Sequence, residues 1–217
     1  MNTMFDLFIK KIAAELKNEL PGFSAQKYMA PLGRRNPNEY IKAENPPKIS
    51  AVLLLLYPEV KTQSVNTVFI VRPMNESGNH AGQISFPGGG VDETDIDLAA
   101  TALRETEEEI GVKKDMISLL GALTPLYIPV SNYMVHPFVG MIDERIDFKK
   151  HPAEVADIVE CGISKLFSED SKSTVLMHLK IKNREENVPC YRIDEKIIWG
   201  ATAMMLSEFE EIVRRIQ

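Results

Sequence analysis

Apolar residues recur along this chain with two periods, and the switches between them mark its elements. Phe5, Phe8, Ile9, Ile12 and Leu16 fall at helical spacing and predict an amphipathic helix that ends near Pro21. Residues 49–57 and 67–72 are instead dense in Val, Ile, Leu and Phe and read as strands. A second helix is expected at about Leu98–Ile110, followed by strand-like runs at 117–127, 133–142, 174–181 and 189–193. Leu206, Phe209, Ile212, Val213 and Ile216 line one face of a closing helix. Residues 22–48, rich in Pro, Gly and Asn, read as an irregular arm. Interspersed strands and helices without an internal repeat predict an α/β sandwich around a mixed sheet, taken as one domain over 1–217.

Composition narrows this picture. The 217 residues are 44% hydrophobic and 26% charged, so a packed core is expected. A formal net charge of −6 argues against a protein that binds nucleic acid by neutralising phosphates. Cys161 and Cys190 lack metal or redox spacing and read as ordinary thiols. The longest apolar run, residues 51–57, is far below the roughly 20 residues of a membrane span. With no leader pattern at the start, a cytoplasmic location without membrane contact is the expectation.

Candidate chemistry concentrates between residues 80 and 112. Three glycines, Gly88 to Gly90, follow Phe86 and Pro87; ordering them is costly unless a turn or a close approach requires it. Downstream, Glu105, Glu108 and Glu109 fall within an arc of roughly 100° on one helical face. Ala99, Ala102, Leu103, Thr106 and Ile110 form the adjacent packing stripe, Glu107 points to solvent, and Gly111 suits the helix end. Three such carboxylates form either a solvated acidic face, partly relieved by Arg104, or a site for a hard divalent cation.

The residues R-E-x-x-E-E-x-G, from Arg104 to Gly111, two turns into a helix that follows glycines, resemble the Nudix box, the signature of hydrolases of nucleoside diphosphates linked to another moiety. The box covers about residues 89–112. Two positions depart from it: Thr106 stands where a bulky apolar residue is usual, and Asp95 takes a glutamate's place with eight residues, not seven, before Arg104. His80-Ala-Gly-Gln83, Phe86-Pro-Gly-Gly89 and Thr101-Ala-Leu-Arg-Glu105 are similar to the coenzyme A diphosphatase branch. Further likenesses run from Lys27-Tyr-Met-Ala-Pro31 through Pro129-Val-Ser131 to Ile198-Trp-Gly-Ala-Thr202.

The resemblance implies a Nudix-type α/β/α sandwich with an N-terminal helix and arm (residues 1–48). It also implies Mg²⁺ or Mn²⁺ held by Glu105, Glu108, Glu109 and the backbone carbonyl of Gly89 or Gly90. Such ions reverse the local field, which answers the problem of an acidic protein with an anionic substrate. Arg104 is expected to orient a metal-binding carboxylate, together with Asp95. Glu154 is a candidate general base or, as readily, a surface carboxylate or a partner of Arg104. Arg34, Arg72, His80, Gly88 and Gly89 are candidates for holding substrate, with Lys27 and Arg35 beside them in the arm; Trp199 is expected in the core. The implied reaction splits coenzyme A or a derivative into 3′,5′-ADP and 4′-phosphopantetheine. Alternatives are an ADP-ribose or NADH diphosphatase, and a nucleotide-sensing module without turnover. The expected partner is a small nucleotide, not nucleic acid or membrane, with a homodimer possible.

Overall fold

The computed structural model describes residues 3–34, 45–59, 64–74, 82–179 and 183–217. Its organising element is β1 (Lys48–Glu59), whose apolar residues face two cores in alternation. Leu54 and Leu56 enter one core, while Ala51, Leu53, Leu55 and Tyr57 enter the other, every one of them at 0% exposure. A strand buried on both faces reads as a continuous apolar run, which is why 51–57 carries so little polarity. Complete burial of each of these leucines contributes roughly 1.5–3 kcal/mol.

Parallel to β1 runs β7 (Tyr133–Met141), registered from Lys48↔Tyr133 to Leu56↔Met141. On the other side β2 (Ser64–Val71) pairs antiparallel with only the last part of β1, from Leu56 to Glu59. The two then diverge, and the chain from 84 to 90 fills the gap. Its first part, β3 (Ile84–Ser85), pairs with β2; its second, β4 (Gly88–Gly90), pairs with Ser50–Val52 of β1. β5 (Ser118–Ala122) and β6 (Leu126–Ile128) pair with β7, and β8 (Asp157–Gly162) pairs with β2. Together they make an eight-stranded mixed sheet among the described residues.

α3 (Leu98–Ile110) packs Ala102 and Ile110 on one face of this sheet. The other face is covered by α1 (Thr3–Glu15), the short α4 (Ile163–Leu166) and α5 (Gly200–Arg215), giving the α/β/α sandwich. β9 (Lys172–Leu179), β10 (Arg184–Ile193) and β11 (Lys196–Trp199) form a separate antiparallel sheet, which shares that second core through Tyr191, Ile193 and Ile198. Among the described residues no helix is long and apolar enough to cross a membrane. Both cysteines are buried free thiols, and burial pushes the Cys161 thiol up to about 11.

Several sequence expectations need correction. The arm is not wholly irregular: α2 (Phe23–Gln26) and a 3₁₀ turn at Lys27–Met29 lie within it, while 35–44 fall outside the described residues. The hold on this arm comes from Glu208 of α5, fully buried, an acceptor that no local pattern reveals. Its carboxylate accepts from Gly22 N at 3.0 Å, Gln26 Nε2 at 2.9 Å and the Thr124 hydroxyl at 2.6 Å. The run 117–127 is two strands, not one, because Leu123-Thr-Pro125 interrupts it. β8 and β11 were not foreseen, because Asp157 and Glu160 in one and Lys196 in the other mask their apolar alternation. Trp199 ends β11 half-buried and is not in the core.

Candidate active site

The glycines form a strand, not a free turn. Gly88 has φ 149°, and a Cβ there would lie 2.4 Å from the Ala51 carbonyl oxygen and 2.5 Å from the Val52 Cα. A Cβ on Gly89 would lie 2.5 Å from the Glu105 carboxylate carbon. What approaches closely is therefore the neighbouring strand at Gly88 and an acidic side chain at Gly89. Gly90 has nothing within 4 Å.

α3 begins where the Asp97 carboxylate accepts the Ala100 N–H at 2.7 Å, an N-cap that the sequence reading did not single out. It ends at Gly111 with φ 74°. Between these ends its acidic residues separate by environment. Glu109 is 4% exposed and accepts the Gly88 N–H at 2.8 Å. Burial, opposed by that hydrogen bond and reinforced by the charge of Glu105, pushes its carboxyl up to about 8. Burial likewise raises Glu105. Glu108 is half exposed. Glu107 does not point freely to solvent; it binds Lys113 Nζ at 2.6 Å and the Lys114 N–H at 3.2 Å, tying down the chain beyond the helix. Thr106 fits its apolar neighbourhood by donating its hydroxyl to Ala102 O at 2.7 Å.

Arg104 gathers the rest. Its Nε and Nη2 donate to the two oxygens of Asp95, each at 2.9 Å, a bidentate pair. Nη1 donates to Glu105 at 2.9 Å and Glu108 at 3.0 Å, and Nη2 also reaches the Gly90 carbonyl at 3.0 Å. The guanidinium holds the Asp95 carboxyl well below the usual carboxylate range. Asp95 additionally accepts from the Thr101 hydroxyl and the Asp92 N–H, both at 2.9 Å. The eight-residue connection thus delivers a shorter acidic side chain to the same guanidinium.

The charges of Arg72 and Glu154 also act on Glu109. Glu154 sits in an exposed turn, 3.8 Å from His151 Nδ1; His151 N–H donates to Glu109 O at 2.9 Å, which docks this turn on the end of α3. Arg34 is not gathered with the carboxylates. Its Nη2 donates to the Tyr127 carbonyl on β6. Lys27 lies over the Tyr28 ring, 5.9 Å from its centroid. His80 and Arg35 fall outside the described residues.

A model of the NUDIX domain matches residues 47–175, which span β1 through the first half of β9 and include all of α3. The chain belongs to the Nudix family. Its members are hydrolases of diphosphate bonds that generally use divalent metal ions. Similar relatives include uncharacterized Nudix hydrolases NudL. That of Photorhabdus laumondii is 33% identical over 148 residues, 68% of this chain and 78% of the relative. That of Pectobacterium atrosepticum is 32% identical over 144 residues, 65% of this chain and 72% of the relative. Among solved structures, a MutT/nudix family protein from Enterococcus faecalis superposes with TM-score 0.54 at 16% identity, over 94% of this chain and 73% of the other, a likeness of fold.

The donor set suits the family's ions: all carboxylate and carbonyl oxygen, with buried Glu109 close enough to half-buried Glu105 to feel its charge. Among the described residues no three acidic, His or Cys side chains already form a closed cluster. Arg104 draws Glu105 and Glu108 aside while Gly88 holds Glu109.

Proposed function

We propose that this chain hydrolyses the diphosphate of coenzyme A or a derivative, releasing 3′,5′-ADP and 4′-phosphopantetheine with Mg²⁺ or Mn²⁺. The observation that carries the reading is the packing of buried Glu109 and half-buried Glu105 against Gly88 and Gly89, with Arg104 bridging Asp95, Glu105, Glu108 and the Gly90 carbonyl. Buried Glu109 feels the repelling charge of Glu105, and Glu105 shares the Arg104 guanidinium with Asp95 and Glu108; a divalent ion supplies further positive charge.

In this reading Glu105, Glu108, Glu109 and the Gly89 carbonyl hold the ion. When bound, it neutralises phosphoryl charge and eases deprotonation of the attacking water. Arg104, locked by Asp95, orients Glu105 and Glu108. Glu154 accepts the proton of the water that attacks phosphorus, and the P–O bond to the departing phosphate breaks. Gly88 and Gly89 keep the strand low enough for the diphosphate to approach. Arg72 faces the phosphates from the end of β2, and Arg34, with His80, binds the 3′-phosphoadenosine. Two buried thiols fit a reducing, cytoplasmic setting.

The test is a hydrolysis panel of coenzyme A, NADH, ADP-ribose and dinucleoside polyphosphates with Mg²⁺ or Mn²⁺. Coenzyme A is expected to be the preferred substrate, and Glu108→Gln and Glu109→Gln to be largely inactive. Much faster turnover of ADP-ribose would overturn the substrate assignment. Full activity in both variants would overturn the metal site.

A further inference from the structure

β1 is fully buried along its α3-facing side until its first apolar residue on that side, Ile49, which is 39% exposed. Ile49 pairs with Met134 of β7, and Met134 pairs with Tyr127 of β6. On the other side the register of β4 continues to Val91, 47% exposed, whose N–H donates to Ile49 O at 3.4 Å. Partners across a sheet project to the same face. Val91, Ile49, Met134 and Tyr127 therefore form a row on the face of Ala51 and Leu53, and none of the four belongs to either core cluster. It is an apolar shelf on the central strands, at the sheet end where Gly90 is held by Arg104.

Charge surrounds the shelf asymmetrically. Toward Gly89 lie the carboxylates; toward the opposite end lies Arg34, its guanidinium on the Tyr127 carbonyl. From strand and residue spacings, Ile49 is roughly 8 Å and Met134 roughly 12 Å from Gly89. A ligand that spans them has a polyanionic end at the glycines, a flat apolar body on the row, and a second anionic group near Arg34.

We infer that Val91, Ile49 and Met134 form the platform for the purine ring of the substrate, with Arg34 beside the ribose phosphate. The inference rests on the nucleoside diphosphate reading above and adds where the base lies. It is tested by labelling the Ile δ1 and Met ε methyl groups and titrating with 3′,5′-ADP, then separately with 4′-phosphopantetheine. Ring-current shifts are expected at Ile49 and Met134 with 3′,5′-ADP and not with 4′-phosphopantetheine. Ile49→Ser is expected to weaken 3′,5′-ADP binding about tenfold, while Leu176→Ser, at an exposed leucine of β9, leaves it unchanged. No 3′,5′-ADP binding, binding that leaves both methyls unmoved, or a response to 4′-phosphopantetheine alone would overturn the platform. A protein that shows the expected shifts yet hydrolyses no coenzyme A keeps the platform and loses the substrate assignment.

Discussion

Three consecutive glycines that look alike in sequence should respond to alanine in three different ways. At Gly89 the new methyl would sit 2.5 Å from the Glu105 carboxylate carbon and 2.6 Å from both its oxygens. Since carbon contacts settle near 3.5–4.0 Å, the carboxylate has to retreat by about 1 Å. It is the end of a flexible side chain, so the fold absorbs the move at a cost of under about 1 kcal/mol, but Glu105 leaves its place beside Arg104 Nη1. A misplacement of that size costs a reaction on the order of 10²-fold. At Gly88 the methyl meets backbone, the Ala51 carbonyl oxygen and the Val52 Cα, at a φ of 149° that favours glycine. Overpacking against atoms that cannot yield costs about 3 kcal/mol, or about 6–12 °C in Tm for a chain of this size. Gly90→Ala meets nothing and needs no positive φ, so both readouts should stay at wild type. Differential scanning calorimetry and metal-dependent hydrolysis, run on all three variants, check the set. If Gly89→Ala kept full kcat, or Gly90→Ala lost as much as Gly89→Ala, the close-approach argument would be wrong.

Asp95 gives a pH signature. Its folded pKa is depressed by Arg104, so its stabilisation is complete above the unfolded value of about 3.9 and is lost as pH falls through the folded value. Asp95→Asn should lower stability at pH 7 by about 2 kcal/mol and flatten the acid limb of a Tm-against-pH profile below about pH 4; an unchanged limb would remove the pair from the account. Glu208→Gln turns one of its two acceptor oxygens into a donor, which faces either the Gly22 N–H or the Gln26 amide, costing about 2–3 kcal/mol. Hydrogen exchange should then accelerate in residues 22–29 before it does in β1; uniform acceleration would contradict a local clasp.

How much of this was legible beforehand depended on whether the determining contacts are local. α3 was read at its observed bounds, because its packing stripe, its acidic face and Gly111 all lie within fourteen residues of one another. β1 was legible because burial on both faces writes an unbroken apolar run. The one pattern shared by Arg104, Glu105, Glu108 and Glu109 exposed both the helix and the family, since the spacing that sets a helical face is itself the motif.

Tertiary structure decided the rest. In the one-letter string Gly88, Gly89 and Gly90 are equivalent; β1 on one side and Glu105 on the other make them a strand with three separate constraints. Likewise, nothing local distinguishes Glu208 from Glu211 two residues after Phe209. Only the return of the arm and of Thr124 to α5 makes Glu208 a buried acceptor, while Glu211 pairs at the surface with Arg215. Periodicity is written by neighbours a few residues apart, so sequence carries it. Pairings across 80 to 190 residues depend on which strands and arms finally meet, and these the folded chain alone supplies.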